Sequence, residues 1–209
     1  MLPRTIARLF AFALVVSFGV GGPLPVSPAQ AYADLPPFEL RFPQEADKTT
    51  FHNDWGDRRR GHRHRGNDLM AAAKMTEVYA VADGVVTKIN ERSRPGRYIS
   101  IEHADGWESL YIHLNDDNID SDDGEADWSL TLAPGIEEGA EVIAGQVIGW
   151  AGDSGNAEGS TPHTHFELSQ DGQEVNPYQA LEMAYARDLR QIIFKQWMIQ
   201  KSSDLHRIA

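Results

Sequence analysis

The chain has 209 residues, with 19 Lys+Arg against 31 Asp+Glu, a formal net charge of −12 and no cysteine. That length suits one globular domain with appendages, and 41% hydrophobic with 24% charged residues is the balance of a folded chain, not a disordered one. The acidic balance speaks against nucleic-acid binding, and the lack of cysteine removes disulfides, thiolate metal sites and cysteine nucleophiles, leaving His, Asp and Glu as metal ligands.

Residues 1–31 read as a signal peptide. Arg4 and Arg8 supply a positive start, and the apolar run Leu9 to Val20 is shorter than the ~20 residues a membrane span needs. Gly21, Gly22 and Pro23 then break it, and Ala29-Gln30-Ala31 offers a cleavage site before Tyr32, with Ala31-Tyr32-Ala33 as the next register. The expectation is export to the periplasm or the exterior, with no stable membrane span after cleavage. An uncleaved anchor is the alternative.

Residues 32–50 are Pro-rich and polar, as in an extended arm packed on the domain. From 51 to 177 short strands follow one another. Glu77–Ala82 and Val85–Asn90 flank Asp83-Gly84, which reads as a hairpin turn. Tyr98–His103 turns at Ala104-Asp105-Gly106 and returns as Trp107–Leu114, while Val142–Gly149 and Thr164–Leu168 are two further strands. Residues 115–129 carry seven acidic side chains, Asp116 to Asp127. Placing Gly124 at the glycine of a twelve-residue calcium loop puts Ile119 and Ser121 where ligands belong, so a solvated acidic insertion is the better reading. Asn176 then caps, Pro177 fits a first helical position, and Leu181, Tyr185, Leu189, Ile192, Ile193 and Trp197 recur near 3.6 residues, predicting an amphipathic helix over 178–209 that packs on its own domain. The fold class is mainly β and antiparallel, with one C-terminal helix.

Eight histidines punctuate this pattern. His52, His103 and His206 stand alone and read as surface or packed residues. His163 and His165 in Pro162-His163-Thr164-His165-Phe166-Glu167-Leu168 project to one side of a strand, with Thr164, Phe166 and Leu168 on the other. That is half a metal site, or a ligand beside a proton-transfer group. Gly61 to Asp68 adds His62, His64 and Asp68, and imidazole with carboxylate suits zinc. A basic patch over Arg58–Arg65 is the competing reading, interrupted by Asp54, Asp57 and Asp68. In Ser109-Leu110-Tyr111-Ile112-His113-Leu114 alternation separates Leu110, Ile112 and Leu114 from Ser109, Tyr111 and His113, which alone would put His113 on the wet face of a hairpin.

Taken together these clusters resemble the lysostaphin/LytM-type zinc metallopeptidases, which cut peptidoglycan cross-bridges or stem peptides. Their pattern of HxxxD, YxHL, GxxVxxGQxIG, PHxHFE and VNP is met in order by His64-x-x-x-Asp68, Tyr111-Ile112-His113-Leu114, Gly139 to Gly149, Pro162 to Glu167 and Val175-Asn176-Pro177. The resemblance covers residues 51–177. It implies the lysostaphin-type (duplicated hybrid motif) fold, zinc held by His64, Asp68 and His165, and His113 and His163 as the two catalytic histidines that are not ligands. His62 has Gly66 four residues on, which cannot ligate. Departures are His62 where the family often has Arg, Thr164 where it commonly has Leu, and the longer stretch from His113 to Gly139. The implied activity is an exported zinc endopeptidase acting on peptidoglycan peptides. The alternatives are a non-catalytic peptidoglycan-binding regulator of wall hydrolases, which would be expected to have lost ligands, and a biotinyl/lipoyl carrier, whose hairpin-tip lysine has no counterpart in Lys88. His52, near the arm, is a conceivable temporary fourth ligand, though the plain surface reading is simpler.

Overall fold

The computed structural model describes residues 35–208, with side chains described through residue 202. The signal-peptide reading of residues 1–31 and its cleavage sites lie outside the described residues. The side chain of His206 does too.

The strands in chain order are β1 (Thr49–Thr50), β2 (Arg58–Arg59), β3 (His62–Arg63), β4 (Asn67–Ala71), β5 (Glu77–Tyr79), β6 (Gly84–Arg92), β7 (Gly96–Glu102), β8 (Trp107–Leu114), β9 (Glu141–Val142), β10 (Val147–Trp150), β11 (His163–Gln170) and β12 (Gln173–Val175), followed by the helix α1 (Tyr178–Ile208). The large sheet runs β1-β4-β11-β8-β7-β6-β9, with β12 also on β11, and β10-β5 and β2-β3 form two small ribbons. Each of these pairings is antiparallel.

Period-2 alternation sets the buried face. On β11, Thr164, Phe166 and Leu168 are 0–1% exposed and face the core, where Leu69, Ile99, Ile101 and Tyr111 are fully buried. On β8 the expected sides hold only in part: Ile112 and Leu114 are buried as expected, but Trp107, Ser109 and Tyr111 are buried too, whereas Leu110 is only half-buried. Ser109 and Tyr111 tolerate the core because they are bonded there. Tyr111 Oη accepts from the Val81 amide at 2.9 Å, and Ser109 Oγ lies 3.1 Å from Tyr111 Oη and 2.7 Å from His103 Nε2.

The turn at Ala104-Asp105-Gly106 forms as expected, with Asp105 and Gly106 both at positive φ, and joins β7 to β8. The hairpin expected across Asp83-Gly84 does not form. β5 pairs with β10, and β6 pairs with β7 and β9. Between them Ala80, Val81 and Ala82 run through the core at 0–6% exposure, with backbone bonds to Gly145, Gln146, Arg41 and Tyr111 in place of a neighbouring strand. The single strand expected over Val142–Gly149 is likewise split. A turn at Ile143–Gln146, with Ile143 67% exposed and Gly145 at φ +82°, sends β9 to the large sheet and β10 to β5.

Residues 35–50 pack on the same unit as the strands, as the reading of an extended arm packed on the domain expects. Leu40, Phe42 and Gln44 are buried, and β1 pairs with β4. The first half of α1 docks on this segment. The Asn176 side chain accepts from the Tyr178 amide at 3.0 Å and caps the helix. Leu181 and Ala184 are buried, Phe42 and Phe51 meet the Tyr185 ring edge-to-face at 5.1 and 5.4 Å, and Asp188 Oδ2 accepts from the Phe42 amide at 2.9 Å. The expected apolar stripe stops packing at Ile192: Ile193 and Trp197 are 56% and 53% exposed, with no described strand or loop covering them. Among the described residues no helix is long and apolar enough to cross a membrane.

Candidate metal centre

Three of the five singled-out residues meet at one point. β11 lies antiparallel to β4 with His165 directly opposite Asp68, and both side chains stand on the face away from Phe166 and Leu69. His64 reaches them from the connection before β4. Gly66 makes that approach possible, since a Cβ there would lie 2.2 Å from the Phe166 carbonyl and 2.9 Å from His165 Nε2. His64 Nε2 is 3.1 Å from Asp68 Oδ1 and 2.8 Å from His165 Nδ1, and His165 Nδ1 is 2.9 Å from Asp68 Oδ1. Bonds of ~2.0–2.1 Å at tetrahedral angles put donor atoms roughly 3.3 Å apart, so a zinc-sized ion fits this trio with a few tenths of an ångström of expansion.

The far nitrogen of each imidazole is already engaged. His64 Nδ1 is 3.0 Å from the Asp54 carbonyl and 3.2 Å from Asp54 Oδ2, and His165 Nε2 is 2.9 Å from Glu167 Oε1. Both partners can only accept, so these nitrogens carry the protons and His64 Nε2 and His165 Nδ1 keep lone pairs for a metal. Asp54 is itself held by Asn67 Nδ2 at 2.7 Å and Arg59 at 3.1 Å, and Arg59 also donates to Asp68 Oδ2 at 2.7 Å. The electrostatics follow. Burial opposes a proton on His64, but its bonds to Asp54 and Asp68 outweigh it and raise the group to about 9. Burial pushes Asp68 up, yet hydrogen bonds from His165 and His64 hold it well below the usual carboxylate range. His165 is raised despite its burial, by Asp68 and Glu167. A group of basic nitrogens around an ionised carboxylate is a site built for positive charge.

His113 and His163 flank this trio, with ring centroids 5.0 Å apart and His113 6.2 Å from His165. His113 has φ +62°. In a regular strand Ile112 and His113 would face opposite ways. The left-handed residue interrupts the alternation, and both line the same cleft. His113 Nδ1 donates to the Ser154 carbonyl at 2.8 Å and His163 Nδ1 to the Thr161 carbonyl at 2.9 Å, which leaves Nε2 of each as the free nitrogen. Burial, with the neighbouring His163, pushes His113 down to about 4, so it is neutral at pH 7. The cleft, of about 880 Å³, is walled by Arg59, Arg60, Arg65 and Arg94 on the β2–β3 side and by Asn156 to Thr161 opposite.

His62 does not join the trio; it lies against Arg94 Nη2 at 2.6 Å. His52 is exposed and is not part of the cleft wall, and His103 is buried and fully bonded. Three residues of the site went unread in the sequence. Glu167 had a signal, two residues after His165 on the same strand face. Asp54 and Arg59 had none, because the chain folds back to bring them behind His64.

Comparison with known proteins bears on the same residues. The family model described as Peptidase family M23 matches residues 62–126, a span holding His64, Asp68 and His113. DD-carboxypeptidase/endopeptidase Mpg of Neisseria meningitidis is 37% identical over 114 residues, which are 54% of this chain and 22% of that protein. Over this part of its length the chain is similar to peptidase family M23. The catalytic domain of lysostaphin from Staphylococcus simulans shares the fold seen here, with a TM-score of 0.50 at 23% identity over 66% of this chain and 95% of that one. Murein hydrolase activator EnvC of Escherichia coli is also similar, 32% identical over 109 residues, 52% of this chain and 22% of that protein. The M23 match thus spans about a fifth of these curated relatives' length.

Proposed function

We propose that this chain is an exported zinc metalloendopeptidase that hydrolyses peptide bonds in peptidoglycan cross-links or stem peptides. The observation that carries the reading is the convergence of His64 Nε2, Asp68 Oδ1 and His165 Nδ1 within 2.8–3.1 Å, at the floor of a cleft where His113 and His163 each keep a free Nε2. Two imidazoles and one carboxylate would hold a zinc ion, which when bound would supply Lewis acidity and an activated water of pKa ~7.

The chain's own residues do the rest. Asp54 and Glu167 hold the ligand imidazoles in the required tautomers. His113, neutral at pH 7 and fixed by the Ser154 carbonyl, accepts or returns a proton at Nε2. His163, at the cleft edge, donates or accepts on the other side of the scissile carbonyl. Arg59, Arg60, Arg65 and Arg94 set a basic wall that suits the free carboxylates of peptidoglycan stem peptides.

The test is digestion of purified peptidoglycan, with and without chelator and with zinc restored, reading fragments by mass spectrometry. Chelator-sensitive release of peptide-cleaved fragments is the expected result. Zinc-loaded chain that releases nothing would instead favour the non-catalytic role suggested by the likeness to an activator. The complete ligand set argues against that role, because a pure binding module has no use for it.

A further inference from the structure

The acidic stretch after β8 is only partly the solvated insertion its composition suggests. Asp120, Asp122, Asp123 and Glu125 are exposed, but Asp116 and Asp117 are 6% and 2% exposed, and Asp153, from the segment after β10, is 1% exposed. One carboxylate oxygen of each of these three lies within 4.8 Å of the other two. We propose that Asp116, Asp117 and Asp153 form a second cation site, separate from the His64–Asp68–His165 centre, for a hard divalent ion of the calcium class.

The negative charge of this cluster is only partly met by the protein. Lys74 is the ammonium at the cluster, and its Nζ is divided among Asp117 Oδ2 at 2.5 Å, Asp122 Oδ1 at 2.6 Å and Asp153 Oδ1 at 3.2 Å. Asp117 Oδ1 is satisfied by the amides of Asp123 and Gly124, and Asp153 Oδ2 by the amide of Gly159. Asp116 receives nothing: its Oδ1 is buried with no hydrogen-bond partner. Arg97, the other nearby cation, is spent on Glu91, Thr131 Oγ1 and the Ala126 carbonyl. Burial and the adjacent Asp117 push Asp116 up to about 6, in keeping with its unpartnered oxygen.

The donor set selects the ion. It is all oxygen, with no imidazole or thiolate, which suits calcium over zinc. Magnesium demands a tighter octahedron and keeps its waters, so a buried set of protein carboxylates favours the larger ion. The twelve-residue loop pattern fails here because the ligands are not contiguous: Asp153 comes from a different part of the chain. Its neighbour Ser154 offers the carbonyl that orients His113, so an ion on Asp153 would brace the segment that positions that histidine.

Calcium titrated into the zinc-loaded chain at constant ionic strength is expected to bind with a stoichiometry near one by calorimetry and to raise Tm by about 5 °C at saturation. Asp116→Asn is expected to abolish both effects. Should that variant not fold, Lys74→Met, which removes the competing ammonium, is expected to tighten calcium binding several-fold. Absence of calcium heat in the wild type, an undiminished Tm rise in Asp116→Asn, or unchanged affinity in Lys74→Met would each overturn the site.

Discussion

Individual residues here carry backbone strain in return for position. An L-residue in the left-handed region costs about 1–2 kcal/mol, and such outliers persist where the surroundings over-determine them. His113 bears that cost at φ +62°, and its imidazole joins Ile112 in the cleft. Replacing His113 with Ala is therefore expected to leave zinc content unchanged and to lower kcat by ~10²–10⁴. Metal analysis beside initial rates checks both halves, and near-normal turnover would remove His113 from the mechanism. Gly66 makes the opposite kind of contribution. A methyl there would stand 2.2 Å from a backbone carbonyl that no rotamer can move aside. Gly66→Ala should push the His64 segment off β11 and weaken zinc binding at least tenfold, a loss seen by competition with a chromogenic chelator. Retained affinity would mean that the segment relaxes without disturbing its ligands.

At the scale of elements, the β7–β8 hairpin is pinned by a buried polar chain. His103 Nδ1 is 2.9 Å from the Asp83 carbonyl, which can only accept, so that nitrogen carries the proton. Nε2 then accepts from Ser109, Ser109 from Tyr111, and Tyr111 from the Val81 amide, provided His103 is neutral. Burial lowers the His103 pKa accordingly. The unfolded chain, titrating near 6.5, takes up that proton first as pH falls. The stability held by neutral His103 is thus complete above pH 6.5 and is lost as pH drops below it, at most about 1.4 kcal/mol per pH unit for one proton. Urea unfolding of wild type and His103→Gln between pH 7 and pH 5 should show the wild-type advantage shrinking towards acid, and parallel curves would refute the assignment. The same hairpin marks what could be read in advance. Its turn residues and its strand ends were legible, but its wet and dry faces were not, because Ser109 and Tyr111 look polar until His103 is known to meet them. The Asp83-Gly84 hairpin failed for a related reason. Alternation signals that a strand exists, while the partner of β5 is chosen by packing between sheets.

Across the whole molecule, motif order anticipated which side chains would meet, whereas alternation gave the fold class without the strand partners. His64, Asp68 and His165 lie far apart in sequence yet converge because β4 and β11 pair in one register, and a slip of one residue would turn His165 into the core. Asp54 and Arg59 were invisible because their contribution depends on that convergence. The register would also make the proposed metal a stabiliser, since an ion held by the β3–β4 connection and β11 would tie together strands that otherwise meet there only through two facing imidazole nitrogens and a carboxylate. An ion present at a thousand times its Kd adds about 4 kcal/mol to the folded state, which for a domain of this size is a Tm change on the order of 10 °C. Stripping the chain with chelator and adding back zinc alone should lower and then restore Tm by that amount, whereas Asp68→Ala should melt at the lower temperature in either state. Calorimetric scans decide it. A zinc-restored wild type that melts no higher than the stripped chain would show that the register is complete without the ion, and that the metal is carried for chemistry only.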